Sequence, residues 1–342
     1  MRKLRKVLFV QMLLAVACIA AYGQWVKQSV DTTASFRGLS VVNKNVIWAS
    51  GTGGTVIRTT DGGKTWKVIT VPGAEKLDFR DIEAFDAKTA YILSIGSGGN
   101  SRIYKTTDGG LTWKLQFKNT NEKAFFDAIA CWDRNNCIAM SDPVDGKFVL
   151  INTSDGGANW KPVDTAKMPS ARDGATAFAA SGTCLMTYGK SDVLLVSGGN
   201  EARVFRSADR AKTWSVSDSP IVKGTPGSGI FSIALWNVHD ATNGVIVGGN
   251  YEKPSEAAGN LAFSDDLGTT WISAKGLTGY RSGVVFVDGM TIVAVGSSGS
   301  DITRDGGKTW RNIDKASYNA VQAKGKRAVW AVGEKGMVAK MK

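Results

Sequence analysis

The sequence predicts an all-β protein built as a closed ring of seven repeated four-stranded sheets. Three observations lead there. A short motif carrying Asp, Gly and Trp recurs six times along a chain of 342 residues. The composition is rich in glycine (40) and tryptophan (11) and poor in proline (7), which suits short strands and tight turns and disfavours helix, where each interior Gly costs roughly 1 kcal/mol against Ala. Finally, the segment at Gln24, Trp25, Val26 and Lys27 has the texture of the strand that follows each motif, while the C-terminal end lacks such a strand. The length alone would allow two domains, but a single all-β ring of this size is equally compatible with it.

The motif is [ST]-x-D-x-G-x-[TN]-W. Its first copy holds Thr59, Asp61, Gly63, Thr65 and Trp66. Later copies centre on Asp108, Asp155, Asp209, Asp266 and Asp305 and end at Trp113, Trp160, Trp214, Trp271 and Trp310. In the fourth, Ala211 replaces the glycine. The residue types are those of a hairpin. The carboxylate accepts backbone N–H groups inside the turn, glycine supplies positive φ, and tryptophan opens the next strand and buries a large ring between sheets.

A repeat of this kind resembles the Asp-box, or BNR, β-propellers, and the likeness covers essentially all of residues 24–342. The inner-strand texture at Val293, Ala294, Val295 and Gly296, at Val329 to Gly333, and at Ser228 to Ser232 is similar to the photosystem II assembly/stability-factor type and its non-photosynthetic bacterial relatives. That resemblance implies a scaffold or assembly role without catalysis, with the six Asp-box aspartates structural and on the rim.

Blades are counted from the tryptophans, which lie 47, 47, 54, 57 and 39 residues apart. Trp25 precedes Trp66 by 41 residues, one more repeat. Beyond Tyr318 the chain offers three strands and no motif. Pairing the N-terminal strand with this last blade closes the ring and removes two sheet edges. Each blade is expected to run as inner strand A, then B, C into the motif, and D. In the second blade these strands are expected over 79–85, 90–95, 102–106 and 113–117.

Residues 1–23 read as a secretion signal: Arg2, Lys3, Arg5 and Lys6, then an apolar stretch, then Ala21 and Gly23 at the positions a signal peptidase reads. Lipidation at Cys18 is the rival reading. The expected location is periplasmic or extracellular, with no transmembrane span after cleavage and a monomeric state. Removing the leader changes the net charge from +12 to +8, which is compatible with an anionic partner but is read first as solvated surface. No Lys/Arg run interleaved with aromatics points to nucleic acid. Cys131 and Cys137 fall across an A–B hairpin and form the disulfide candidate, with unpaired core cysteines as the alternative; Cys184 reads as a small buried apolar residue.

A single histidine, His239, in an expected A–B turn, leaves no His-rich zinc site, and any Ser/His/Asp or Cys/His triad would have to use His239 itself. No Rossmann or P-loop motif is present, so no metal and no cofactor are expected. A site is expected instead on the face where strand D passes to the next A and B passes to C. The longer repeats place extra residues there, at 161–181, 217–229 and 250–260. The residues entering strand A are read as a ring of Arg37, Arg80, Phe126, a position near Thr183, Phe231, Arg281 and Asn319. Arg172 and Asp173 come from the inserted loop. Arg37, Arg80, Arg172 and Arg281 are the expected ligand-binding patch for an anionic protein or glycan, since the guanidinium fork grips carboxylates and phosphates. Neutralisation by neighbouring aspartates is the blander reading. The enzymatic alternative is a sialidase-like glycoside hydrolase. The stretch Phe36, Arg37, Gly38, Leu39 faintly resembles a motif of those enzymes, which use an arginine triad, a Tyr/Glu pair and an Asp. Here Asp81, Asp127 and Tyr280 are the catalytic candidates, with Tyr251, Glu83 and Glu201 as possible assistants.

Overall fold

The protein is described by a computed structural model covering residues 24–238 and 241–342. The leader, with Cys18, and His239 lie outside the described residues. The described chain forms seven antiparallel sheets arranged as the blades of a β-propeller. Blade 1 comprises Phe36–Val41, Ile47–Gly51, Thr55–Thr59 and Lys67–Thr70, as strands A to D. Blade 2 comprises Phe79–Ala84, Ala90–Ser94, Arg102–Thr106 and Lys114–Lys118, close to expectation. Blade 3 holds Phe126–Cys131, Cys137–Val144, Lys147–Thr153 and Lys161–Pro162, and blade 4 holds Leu185–Tyr188, Asp192–Val196, Arg203–Ser207 and Ser215–Asp218. Blade 5 runs through Ser228–Val238, Ala241–Asn250, Leu261–Ser264 and Ile272–Ser273, and blade 6 through Gly283–Phe286, Ile292–Gly296, Gly299–Thr303 and Arg311–Asp314. Blade 7 takes Ala320–Ala323, Val329–Val332 and Val338–Met341 from the C-terminal end and Trp25–Lys27 from the other.

The closure is antiparallel, with Trp25 opposite Met341 and Lys27 opposite Ala339. The Trp25 ring lies 5.4 Å from Tyr318, and its indole N–H donates to Ser300 Oγ at 3.1 Å. The join therefore binds both chain ends to blade 6 as well as to each other.

The core is a circle of apolar clusters between neighbouring blades. One joins blades 7 and 1 through Phe36, Ile57 and Trp330, the next joins 1 and 2 through Val56, Phe79 and Ile92, and the pattern continues round the ring. The motif tryptophans seal these seams. Trp66 meets Trp330 edge-on at 5.6 Å, Trp113 meets Trp48 at 6.5 Å, and Trp160 meets Tyr91 at 6.4 Å. In each case the partner sits on strand B of the preceding blade. Strand D begins one residue after the tryptophan, not at it.

The motif hairpins share one hydrogen-bond pattern. In the first, Thr59 Oγ1 donates to Asp61 Oδ1 at 2.7 Å, and the Thr65 N–H and hydroxyl donate to the two carboxylate oxygens at 3.0 and 2.6 Å. The Gly63 N–H returns to Thr59 Oγ1 at 3.0 Å, and Gly63 stands at φ 92°. Ala211, in the copy without glycine, adopts φ 68° and keeps the same bond, to Ser207 Oγ at 2.9 Å. The motif thus imposes the left-handed conformation even on a residue with a β-carbon. Cys131 and Cys137, directly opposite in blade 3, are disulfide-bonded, and Cys184 is a buried free thiol.

Candidate functional site

Strand A enters each blade at the central axis, and in most blades one residue near its start faces the mouth. In blades 1, 2, 3 and 5 a β-bulge places it there. In blade 1 the register slips between Phe36 and Gly38, leaving Arg37 without a partner on strand B. The same slip isolates Arg80 in blade 2, Asp127 in blade 3 and Phe231 in blade 5. A bulged residue is re-aimed away from the ladder, which is why such irregularities gather at sites. Arg37, Arg80, Asp127 and Phe231, with Ser282 and Asn319 from blades 6 and 7, all line one axial cavity of about 690 Å³.

This corrects two positions of the expected ring by one residue. The mouth residue of blade 3 is Asp127, not Phe126, which is buried in the seam between blades 2 and 3. In blade 6 it is Ser282, not Arg281. A shift of one residue sends a strand side chain to the opposite face. Arg281 accordingly turns into the blade. Its guanidinium is wholly buried, bonded to Asp301 Oδ2 at 2.5 and 2.9 Å, to Thr278 Oγ1 at 2.7 Å and to Ser298 Oγ at 2.8 Å. Arg281 is a structural ion pair and not part of an arginine triad. Arg172 also stays away from the cavity: it is exposed and pairs with Asp218 at 3.1 Å. Glu201 is buried in blade 4, where Arg203 Nε donates to it at 2.6 Å.

The floor of the mouth is a strap that the sequence marked only as a long loop. Ala175–Thr176 pairs with Gly198–Gly199, and Gly198 pairs with Gly229 at the inner edge of blade 5. A β-carbon at Gly198 would lie 2.2 Å from the Phe178 ring, so the approach requires glycine. Phe178 stacks on Phe231 with centroids 3.8 Å apart, and Tyr280 meets Phe231 edge-on at 4.7 Å. The strap then crosses the axis. Arg37 Nη1 donates to the Ala180 carbonyl at 3.3 Å and Arg80 Nη1 to the Ala179 carbonyl at 3.4 Å. Ser181 Oγ donates to the Ser282 carbonyl at 2.7 Å on the far side.

The electrostatics favour an incoming anion. Arg80 is partly balanced by Asp78, at 2.7 Å. Arg37 has no carboxylate within 4 Å among the described residues; burial, and next the Arg80 guanidinium, pull it below the usual guanidinium range, though it stays charged. Glu334, which lines the cavity, and Asp78 act on Arg37 from beyond 4 Å, while the buried carboxyls add little. Burial, reinforced by Asp142, pushes Asp127 well above the carboxylate range, and its Oδ2 has no hydrogen-bond partner. Burial also raises Asp142, whose Oδ1 accepts from Thr176 Oγ1 at 2.7 Å and Ala177 N at 2.6 Å. Tyr280 lines the wall with its phenol raised by burial, and exposed Tyr251 stands at the rim of the same cavity. Asp81, expected at the mouth, lies beneath the strap instead. Its two oxygens accept the Ile82 and Ile129 N–H groups at 2.8 Å each, and burial raises its carboxyl to about 7.

Fold and site together define a seven-bladed propeller with a strap-floored, arginine-bearing axial mouth. Solved structures of similar shape include YCF48 bound to D1 peptide, with a TM-score of 0.67 and 17% identity over 94% of this chain and 97% of that one. YCF48 from Cyanidioschyzon merolae aligns with a TM-score of 0.67 and 19% identity over 93% and 98%. A GH74 xyloglucanase from Xanthomonas campestris aligns with a TM-score of 0.61 and 14% identity, covering 93% of this chain but 53% of the enzyme. At these identities the likeness is one of fold. No protein-family profile and no curated protein matches the chain.

Proposed function

We propose that this propeller is a non-catalytic binding scaffold that receives an acidic segment of a partner protein at the axial mouth. The observation that carries this is the pairing of Arg37 and Arg80 over an aromatic wall, with Arg37 lacking a carboxylate partner within 4 Å among the described residues. A guanidinium so placed gains a charge-assisted bond from an incoming carboxylate without first losing an ion pair. The structural likeness to YCF48 with its bound D1 peptide supports a peptide-sized occupant. Export through residues 1–23 belongs to the same reading, and the Cys131–Cys137 disulfide supports it, since such bonds persist outside the reducing cytosol. The Asp-box class and a monomeric single domain over residues 24–342 complete it.

The test is binding of a fluorescein-labelled hexaglutamate peptide to the full chain. Saturable, salt-sensitive binding is expected, weakened at least about tenfold in Arg37→Ala and Arg80→Ala, each of which removes a charge-assisted bond. Equal affinity in both variants would assign these arginines to the strap alone. The second reading, a glycoside hydrolase, draws on the likeness to GH74 propellers and on Asp127 and Asp142 sharing the mouth. Turnover of xyloglucan or a sialoside that disappears in Asp127→Asn would establish it.

A further inference from the structure

The strap divides the axial channel, and the opposite end has a different chemistry. Beneath residues 178–182 lies a second cavity of about 290 Å³, lined by side chains of the A strands. The alternation of strand A carries Asp81 and Glu83, two residues apart, to the axial side of blade 2. The remaining wall is mixed, with Met186, Val285 and Ala323 beside Thr183, Thr187 and Gln322. No Lys, Arg or His lines this cavity.

The two carboxyls are not equivalent. Asp81 is spent on the backbone, accepting the N–H groups of Ile82 and Ile129. Glu83 receives no hydrogen bond and no ion pair from any described residue. Its carboxyl is driven well above the ordinary range by burial and then by Asp81. A half-buried carboxylate with no donor from the protein gains from a ligand that supplies one. No group of three His, Cys, Asp or Glu side chains placed to hold a metal occurs among the described residues. An ammonium on a short alkyl stem suits this lining: its stem covers Met186, Val285 and Ala323, and its three N–H donors face Glu83.

We propose that this second cavity is a binding site for an alkylammonium group, such as the end of a lysine side chain, with Glu83 as its counter-ion. The propeller then presents a basic mouth at one end of its axis and an acidic mouth at the other. This inference does not rest on the peptide-binding role of the first mouth.

The experiment is titration of the full chain with butylammonium chloride at pH 8, followed by NMR line broadening of the ligand, with butanol as the uncharged control. Saturable binding of butylammonium and none of butanol is expected. Glu83→Gln should weaken it at least about tenfold, the factor that loss of one charge-assisted contact of about 1.4 kcal/mol produces. Lys308→Ala, exposed at the rim, should leave it unchanged. Ala323→Leu is the second variant: it narrows the cavity while retaining Glu83 and should also block binding. Absence of saturable binding, equal binding of butanol, or undiminished affinity in folded Glu83→Gln or Ala323→Leu would each overturn the proposal.

Discussion

Carboxyl groups at two radii of this molecule behave in opposite ways. At the rim, each motif aspartate accepts three or more hydrogen bonds within its own hairpin and is open to water. Asp108, Asp155, Asp209 and Asp305 are held down to about 2, chiefly by the Thr or Asn four residues on. At the axis, burial dominates: Asp81 rises to about 7, and Glu83 and Asp127 are pushed well up. One residue type therefore serves as a local staple where solvent is near and as a poised, nearly neutral group where it is excluded. Charge is inexpensive at the rim and costly at the axis, so uncompensated charge near the axis marks the places where a ligand would be stabilised most.

That contrast is open to direct challenge. The largest effect should come from the outermost strand of blade 7. Deleting residues 24–30 removes buried Trp25 and its ladder and should cost more than the roughly 3–5 kcal/mol of a Trp→Ala change, read as a large fall in melting temperature. A truncated chain as heat-resistant as the parent would show that closure at the rim contributes little. Next, Arg281→Ala strands buried Asp301 and should lose about 3–5 kcal/mol, whereas Arg80→Ala, releasing a part-exposed pair, should lose less than about 1 kcal/mol in the same denaturant titration.

The pH dependence separates the two radii by sign. A carboxyl raised in the folded state, like Asp81, contributes stability fully below its unfolded value of about 3.9, and that contribution is lost as pH rises through about 7. The rim aspartates, lowered in the folded state, contribute above about 3.9 and lose it as pH falls toward 2. Melting temperature should therefore decline from about pH 4 to pH 7, and Asp81→Asn should flatten that limb while leaving the acid limb intact. An unchanged limb in the variant would remove Asp81 from the account. The smallest effect concerns the rim backbone. Leu267 stands at φ 58° where four other copies have glycine, and Leu267→Gly should raise stability by about 0.5–1 kcal/mol, as relief of left-handed strain outweighs the added chain entropy.

The sequence by itself determined the parts of this protein that are encoded within a few residues of one another. The Thr, Asp, Gly and Trp of each hairpin interact across eight positions, so the six turns, the blade spacing and the pairing of Trp25 with the final blade were all legible. So was the placement of Cys131 opposite Cys137. The candidate site was legible only in part: Arg37, Arg80, Asp127, Phe231 and Asn319 were singled out, but Arg281 was included and Ser282 missed. A bulge adds one residue to strand A without any signature in its composition, and one residue decides whether a side chain enters the mouth or the blade. The strap was decided by the tertiary structure alone. Its course depends on Gly198 and Gly229 meeting across blades 4 and 5 and on Arg37 and Arg80 capping carbonyls 143 and 99 residues away. Hairpin chemistry is local and therefore readable from order; the axis is where seven distant strand ends converge, and only the closed ring brings their charges together.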